Sequence, residues 1–348
     1  MTFKIVHTYA VPGVDHGEAL IKTLDARLIK GIWPTEDDII SNTRDADAVI
    51  GVVAKQPFSR RVLETLKNCR IIAGIAIGFD AVDLAAATEL GIAVTNVPDY
   101  CLDEVSGLTI GLMLSLAHKI PQIDRAVRER QINFTGGGNA IKEIGYPMYR
   151  MSKQTLGIVG MGKIGTATAL KGKGLGMRVI AYDPYALDGV MESHGVHPVD
   201  FNTLLKESDF ISLHTPLTPE TEGMIGEKAF KEMKPTCYFI NTARGSCVDE
   251  PSLIRALEEG IIAGAGIDVT VEEPIGAHNP LLKMPNVILT GHSAYYSTAA
   301  YEELFYKPMP QVVAALKGEW PLYGLNLEIK ERWLRKWGSG EASMRGKG

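Results

Sequence analysis

The stretch LGIVGMGKIGTATA, Leu156 to Ala169, decides the fold. Leu156, Ile158 and Val159 read as a strand, Gly160, Gly162 and Gly165 follow at once, and Ala167 to Leu170 open a helix. In a strand-turn-helix the first glycine permits the tight turn, the second lets the backbone approach a pyrophosphate, and the third lets helix pack on strand. The helix N-terminus, which carries Lys163 and Ile164, turns unpaired N–H groups toward phosphate oxygens. A second strand, Arg178–Tyr182, runs directly into Asp183, where a carboxylate accepts from the hydroxyls of an adenosine ribose. That charge repels a 2′-phosphate, and the next residues are Pro184 and Tyr185 rather than an arginine. The pattern therefore calls for NAD rather than NADP.

The turn stands near the middle of a chain of 348 residues, more than one hydrophobic core usually supports. Short apolar runs alternate with amphipathic stretches on both sides of it, as parallel-sheet α/β folds require. Strands are expected at Phe3–Thr8, Ala26–Ile29, Ala48–Val53, Arg70–Ile75 and Ala93–Thr95. After the turn begins they are expected at Leu156–Val159, Arg178–Tyr182, Phe210–Leu213, Cys237–Asn241, Ala263–Asp268 and Val287–Thr290. Between the two arrays Asp103–Arg130 keeps helical spacing until Pro121 interrupts it, and Phe134–Asn139 contains three consecutive glycines, the mark of a hinge or subunit contact. Ser297–Leu316 again has helical spacing and predicts a return to the first array. The fold class is thus α/β, a Rossmann-type doubly wound parallel sheet inserted into a second, flavodoxin-like domain. Residues 1–100 plus 295–330 form the discontinuous substrate domain, 101–294 the NAD-binding domain, and 331–348 a tail. Hinges are expected near 99–101 and 293–297, where a closing cleft excludes water.

Composition narrows the partners. Lys and Arg total 36 against 41 Asp and Glu, a formal net charge of −5, which gives no pull toward nucleic acid or acidic membranes. No apolar run is long enough to span a bilayer, and no basic-then-apolar signal segment opens the chain. Cys69, Cys101, Cys237 and Cys247 lack metal-ligand or CxxC spacing and read as reduced thiols, so a cytoplasmic location is expected. No metal site is expected, because histidines and carboxylates lack spacings such as HExxH.

Three later strands lead into polar residues at their carboxyl ends, where open parallel sheets bind ligands. NTARGSCVDE carries Arg244, DVTVEEP carries Glu273, and TGHSAYYS carries His292. The trio suits hydride chemistry on a 2-keto acid. An imidazole gives a proton to the carbonyl oxygen and takes it back in oxidation, a carboxylate beside it favours the imidazolium, and a guanidinium presents a planar fork to substrate carboxylate and carbonyl. His214, at the end of its strand, is expected to line the cofactor pocket, and Asp268 to bond the nicotinamide carboxamide.

Over roughly residues 1–325 these motifs resemble the D-isomer-specific 2-hydroxyacid dehydrogenases. The resemblance makes Arg244, Glu273 and His292 the catalytic residues. It implies SLHTPLTPETEGMI, residues 212–225, as a loop over the cofactor, with Thr215, Pro216 and Thr221 joining Thr242 and Ala243 at the site. It implies GIAIGFDAVD, residues 74–83, as a loop that takes the substrate carboxylate on the backbone N–H groups of Ile77 and Gly78. YDPYALDGV and HSAYYS are similar to the branch that includes the C-terminal-binding corepressors, and Tyr295 stands where those carry a tryptophan walling the pocket. Two departures are Gly74, in place of a substrate-binding arginine, and Ser106-Gly107, in place of Ala-Glu. Tyr100, Leu102 and Tyr295 are candidates for the substrate pocket. The resemblance also implies a homodimer built on the long helix of the cofactor domain. The reading is an NAD-dependent enzyme interconverting a D-2-hydroxy acid and its 2-keto acid. The alternative is an NAD(H)-sensing, corepressor-like interaction protein with a vestigial site.

Overall fold

The computed structural model describes residues 2–130, 142–145 and 147–339. The glycine triplet within Phe134–Asn139 and the chain from residue 340 lie outside the described residues. Two compact units emerge: Met1–Tyr100 with Ser297–Gly348, and Cys101–Tyr296.

The first unit holds β1 (Phe3–His7), β2 (Ala26–Lys30), β3 (Ala48–Gly51), β4 (Ile71–Gly74) and β5 (Ala93–Thr95). All pairings are parallel, in the order β2-β1-β3-β4-β5, which is the flavodoxin-like order. Every residue of β3, β4 and β5 is buried, which is why they are continuous apolar runs rather than alternating ones. One layer of the core joins Val6, Val49, Ile72 and Val94 to Ile39 and Phe58. The helical stretch expected at Ser297–Leu316 forms two helices, Thr298–Tyr306 and Pro308–Leu316, because Pro308 starts a new first turn. The second packs on β3 and β4.

The segment beyond closes the outer edge of the sheet. Leu325 donates its N–H to Val94, and the buried Asn326 side chain accepts from the Val94 N–H and donates to the Ile92 carbonyl. The tail expected over residues 331–348 is corrected at its start, where Lys330–Trp337 is a packed helix; the residues from 340 lie outside the described ones. Trp333 is 1% exposed and donates its indole N–H to the Arg70 carbonyl. The Arg70 guanidinium lies between the rings of Phe3 and Trp337, 4.8 and 4.6 Å from their centroids. Trp333 and Trp337 are four residues apart and so share one helix face.

The second unit holds β6 (Thr155–Val159), β7 (Arg178–Tyr182), β8 (His197–Pro198), β9 (Phe210–Leu213), β10 (Tyr238–Asn241), β11 (Gly264–Ile267) and β12 (Val287–Leu289). The sheet is parallel throughout, ordered β12-β11-β10-β9-β6-β7-β8. The strand order reverses between β6 and β9, the point where such sheets bind dinucleotides. Its faces bury separate cores: Val159, Ile211, Phe239 and Ile267 on one, Ile158, Val179 and Ile240 on the other, the latter against Leu112 and Leu116. Those leucines belong to helix Leu102–Ala117, which packs on β10, β11 and helix Lys163–Gly174. The break in the long helical stretch comes at His118 and Lys119, the latter with φ of 53°, before Pro121 rather than at it. Pro121 instead occupies the first turn of Ile120–Arg130, where its missing N–H costs nothing.

Candidate active site

Gly162 is the N-cap of helix Lys163–Gly174, directly beyond the carboxyl end of β6. A Cβ added there would meet nothing within 4 Å, whereas one added at Gly165 would overlap the carbonyl oxygen of Gly160. Gly165 is therefore demanded by the chain's own packing. Gly162 is not, and its bare backbone leaves room for a ligand that comes close. A pyrophosphate on the first N–H groups of the helix meets both conditions. Lys163 is exposed and Ile164 half-buried on that first turn.

Asp183 ends β7, next to β6. Its Oδ2 accepts from the N–H of Met161 at 2.8 Å, and Oδ1 from Tyr185 and Ala186 at 2.9 and 3.2 Å. The carboxylate thus ties the glycine turn to its own strand end. Pro184 follows, exposed.

Across the switch point His214 ends β9, its Nε2 2.8 Å from Ser212 Oγ. Burial pushes this imidazole down to about 3, so it is neutral at physiological pH. In the next loop Thr221 donates to the Pro216 carbonyl at 2.6 Å and accepts from the Thr218 N–H at 2.8 Å. The Thr215 hydroxyl lies against the sulfurs of Met224 and Cys247. These side chains shape the loop that carries them.

After β10, Thr242 is held by a residue not singled out in the sequence. Thr109, on helix Leu102–Ala117, gives its hydroxyl proton to the Val105 carbonyl at 2.8 Å. At 2.9 Å it therefore accepts from Thr242, and both are buried. Two residues on, Arg244 is half-buried and donates from a terminal nitrogen to the Ala243 carbonyl, while Asn241 Nδ2 donates to the Arg244 carbonyl. The chain after Arg244 presses on the chain after β11, since a Cβ at Gly245 would overlap the Thr270 backbone.

β10, β11 and β12 are consecutive in the sheet, so their carboxyl ends align Arg244, Glu273 and His292 along one edge. His292 Nδ1 lies 2.7 Å from Oε2 and 2.9 Å from Oε1 of Glu273. The ring is 34% exposed and the carboxylate 28%, a pair reachable by substrate yet partly shielded. His292 holds φ of 57°, a conformation uncommon outside glycine.

Asp268 explains how that conformation is kept. It is 3% exposed at the end of β11. Oδ1 accepts from Thr290 Oγ1 at 2.6 Å and the Ser293 N–H at 2.9 Å, Oδ2 from the Ala294 N–H at 3.1 Å, and its carbonyl from the His292 N–H. The residue read as a carboxamide partner is thus the clamp of the loop that bears the imidazole. A buried carboxylate attracts such N–H donors strongly, but the sequence spacing of 268 and 293 does not reveal it.

In the first unit, the chain after β4 presents Ala76, Ile77 and Gly78, all half-buried. Among the described residues no chain atom accepts from the N–H of Ile77 or Gly78. Gly74 ends β4 where a Cβ would overlap Val53 and stand 2.6 Å from the Thr95 carbonyl, so this backbone has no room for an arginine. Tyr100 closes the first unit, and Leu102 and Tyr295 belong to the second, each half-buried. Among the described residues no group of three or more His, Cys, Asp or Glu could hold a metal ion.

Residues 110–294 match the family described as "D-isomer specific 2-hydroxyacid dehydrogenase, NAD binding domain". A glyoxylate reductase of Korarchaeum cryptofilum is 38% identical over 296 residues, 85% of this chain and 87% of the relative. This chain belongs to the D-isomer-specific 2-hydroxyacid dehydrogenase family. A glycerate dehydrogenase of Methylorubrum extorquens is 37% identical, over 82% of this dehydrogenase and 87% of the relative. Among solved structures, the NAD-complexed D-isomer-specific 2-hydroxyacid dehydrogenase of Lactobacillus delbrueckii subspecies bulgaricus is 30% identical with a TM-score of 0.73, covering 93% of this chain and all of that one. The dehydrogenase is an enzyme, its cofactor is NAD, and both sheets have the architecture expected of it.

Proposed function

We propose that this dehydrogenase reduces a small 2-keto acid to the D-2-hydroxy acid, or runs the reverse reaction, with His292 as the acid and base, Glu273 as its orienting partner and Arg244 as the substrate clamp. The observation that carries the assignment is the bond from His292 Nδ1 to Glu273 at 2.7 Å. With Nδ1–H committed to the carboxylate, Nε2 is the ring atom that exchanges a proton with substrate oxygen.

NAD, when bound, supplies or accepts the hydride. Gly162 and the first turn of its helix hold the pyrophosphate, Asp183 takes a ribose hydroxyl, and the neutral imidazole of His214 adds no charge beside the cofactor. In reduction the imidazolium of His292 donates from Nε2 to the carbonyl oxygen, and the neutral ring takes the proton back in oxidation. Glu273 accepts from Nδ1–H in both directions and keeps the ring in one tautomer. The Arg244 guanidinium orients the carboxylate and carbonyl and polarises the bond that is attacked. The N–H groups of Ile77 and Gly78 take the substrate carboxylate, with Tyr100, Leu102 and Tyr295 beside the rest of the molecule.

Glyoxylate is the first substrate to try, because relatives of 38% and 40% identity are glyoxylate reductases. NADH oxidation with a panel of 2-keto acids tests the reading. Turnover of glyoxylate or another small keto acid supports it, and NADH binding with no turnover on any of them hands the site to the sensor reading. We also infer a homodimer through helix Leu102–Ala117. Gly107 and Gly111 are exposed on it, and a Cβ at Gly111 meets nothing within 4 Å, so its outer face accepts close approach by a second copy. Sedimentation at micromolar concentration reads this directly. The four cysteines are buried free thiols, and no described helix is long and apolar enough to cross a membrane; both fit the cytoplasmic location we propose.

A further inference from the structure

Two hydrogen bonds behind the chain at 76–78 set the direction of the two N–H groups assigned to the substrate carboxylate. A peptide unit is planar and trans, so a carbonyl and the N–H of the next residue point opposite ways. The Ala76 carbonyl accepts from the N–H of Val97 at 2.9 Å, which fixes the plane carrying the Ile77 N–H. The Ile77 carbonyl accepts from Nδ2 of Asn96 at 2.7 Å, which fixes the plane carrying the Gly78 N–H. A carbonyl only accepts, so the Asn96 amide has one possible orientation. Both N–H groups are therefore turned away from the 96–97 segment.

Asn96 is itself held. It is 7% exposed, and its own carbonyl accepts from Nε2 of Gln311 at 3.0 Å. Gln311, 5% exposed on helix Pro308–Leu316, accepts at Oε1 from the N–H of Tyr323 at 3.2 Å. Three residues beyond Asn96, the Asp99 carboxylate is gripped by Lys307 Nζ at 3.0 Å and the Tyr323 hydroxyl at 2.7 Å. The segment that returns after the cofactor unit thus braces the 96–99 chain from behind.

We propose that Asn96, backed by Gln311, is a positioning residue for substrate recognition, aiming the Gly78 N–H at the carboxylate through the Ile77 carbonyl without touching substrate. The assignment rests on the reading of Ile77 and Gly78 as the carboxylate site. A charged acceptor makes a misaimed donor costly, worth about a factor of ten in binding. The cofactor elements belong to the other unit and do not depend on Asn96.

The test is steady-state kinetics of Asn96→Ala and Asn96→Asp with glyoxylate and other small 2-keto acids, alongside NADH affinity by fluorescence and the melting temperature. The expected result is a KM for keto acid raised about tenfold, with kcat and NADH affinity near wild type. Asn96→Asp follows Asn96→Ala because it keeps the shape and loses the donor. If Asn96→Ala does not fold, Gln311→Met, which removes the donor to the Asn96 carbonyl together with the acceptor for the Tyr323 N–H and leaves Asn96 itself in place, is expected to raise KM in the same direction. An unchanged KM, or a fall in kcat and NADH affinity at constant KM, overturns the proposal while leaving keto-acid reduction intact. A wild-type enzyme that turns over none of the keto acids overturns the carboxylate site and this proposal with it.

Discussion

His292 Nδ1 sits 2.7 Å from a carboxylate oxygen of Glu273, and the two side chains come from loops after neighbouring strands, nineteen residues apart in sequence. The consequence is a ring whose two nitrogens have separate duties. His292→Gln is expected to lower kcat about a thousandfold and Glu273→Gln about a hundredfold, with NADH affinity unchanged in both. Pre-steady-state NADH oxidation and fluorescence titration of NADH measure the two quantities separately.

Asp268 holds three donors of the loop around His292. In Asp268→Asn an amide NH2 faces at least one of those donors, so the loop loses a charge-assisted bond and gains a clash of like dipoles. The variant is expected to lose about 1–3 kcal/mol of stability and to drop in kcat more than in NADH affinity. Urea unfolding at pH 7 with kinetics on the same preparation decides it; unchanged kcat refutes the clamp.

Gly162 and Gly165 make opposite predictions. Gly162→Ala finds no chain atom within 4 Å of the new methyl, so its melting temperature should equal that of wild type while NADH dissociates about tenfold more readily. Gly165→Ala puts a methyl into the Gly160 carbonyl and should cost about 1–3 kcal/mol of stability. Calorimetry and NADH titration of the two variants separate a ligand's demand for glycine from the fold's.

His7 supplies part of the pH dependence of stability, beside His214, whose pKa burial lowers likewise. His7 is fully buried on β1, its Nε2 has no hydrogen-bond partner among the described residues, and burial, aided by His16 and Lys30, pushes the ring down to about 3 from 6.5. The unfolded chain then binds a proton that the folded one refuses. Stability is complete above about pH 6.5 and declines as pH falls toward about 3, at up to about 1.4 kcal/mol per pH unit for this group. Urea midpoints at pH 7, 6 and 5 show the decline, and His7→Leu should flatten its part of it.

Much of the fold is legible in the residues. The order of apolar runs, the glycine turn and the acidic residue ending the second strand of its array determine a doubly wound sheet with a dinucleotide crevice, because each is a local requirement of backbone and ligand. The strand runs were readable as continuous apolar stretches since both faces are covered, and Arg244, Glu273 and His292 stood out as candidates because each lies in a segment that follows a strand. Only the tertiary structure decided what those residues lean on. The Thr109–Thr242 bond, the grip of Asp268 on the 290–294 loop and the brace of Asn96 by Gln311 join positions 22 to 215 residues apart. Such pairs depend on which strand ends and helices pack as neighbours, and polar residues that meet only in the folded chain leave no periodic trace. The helix Lys330–Trp337 lies between these cases. Its indoles mark a face, but that the face is buried is settled by Phe3 and Arg70 at the far end of the chain.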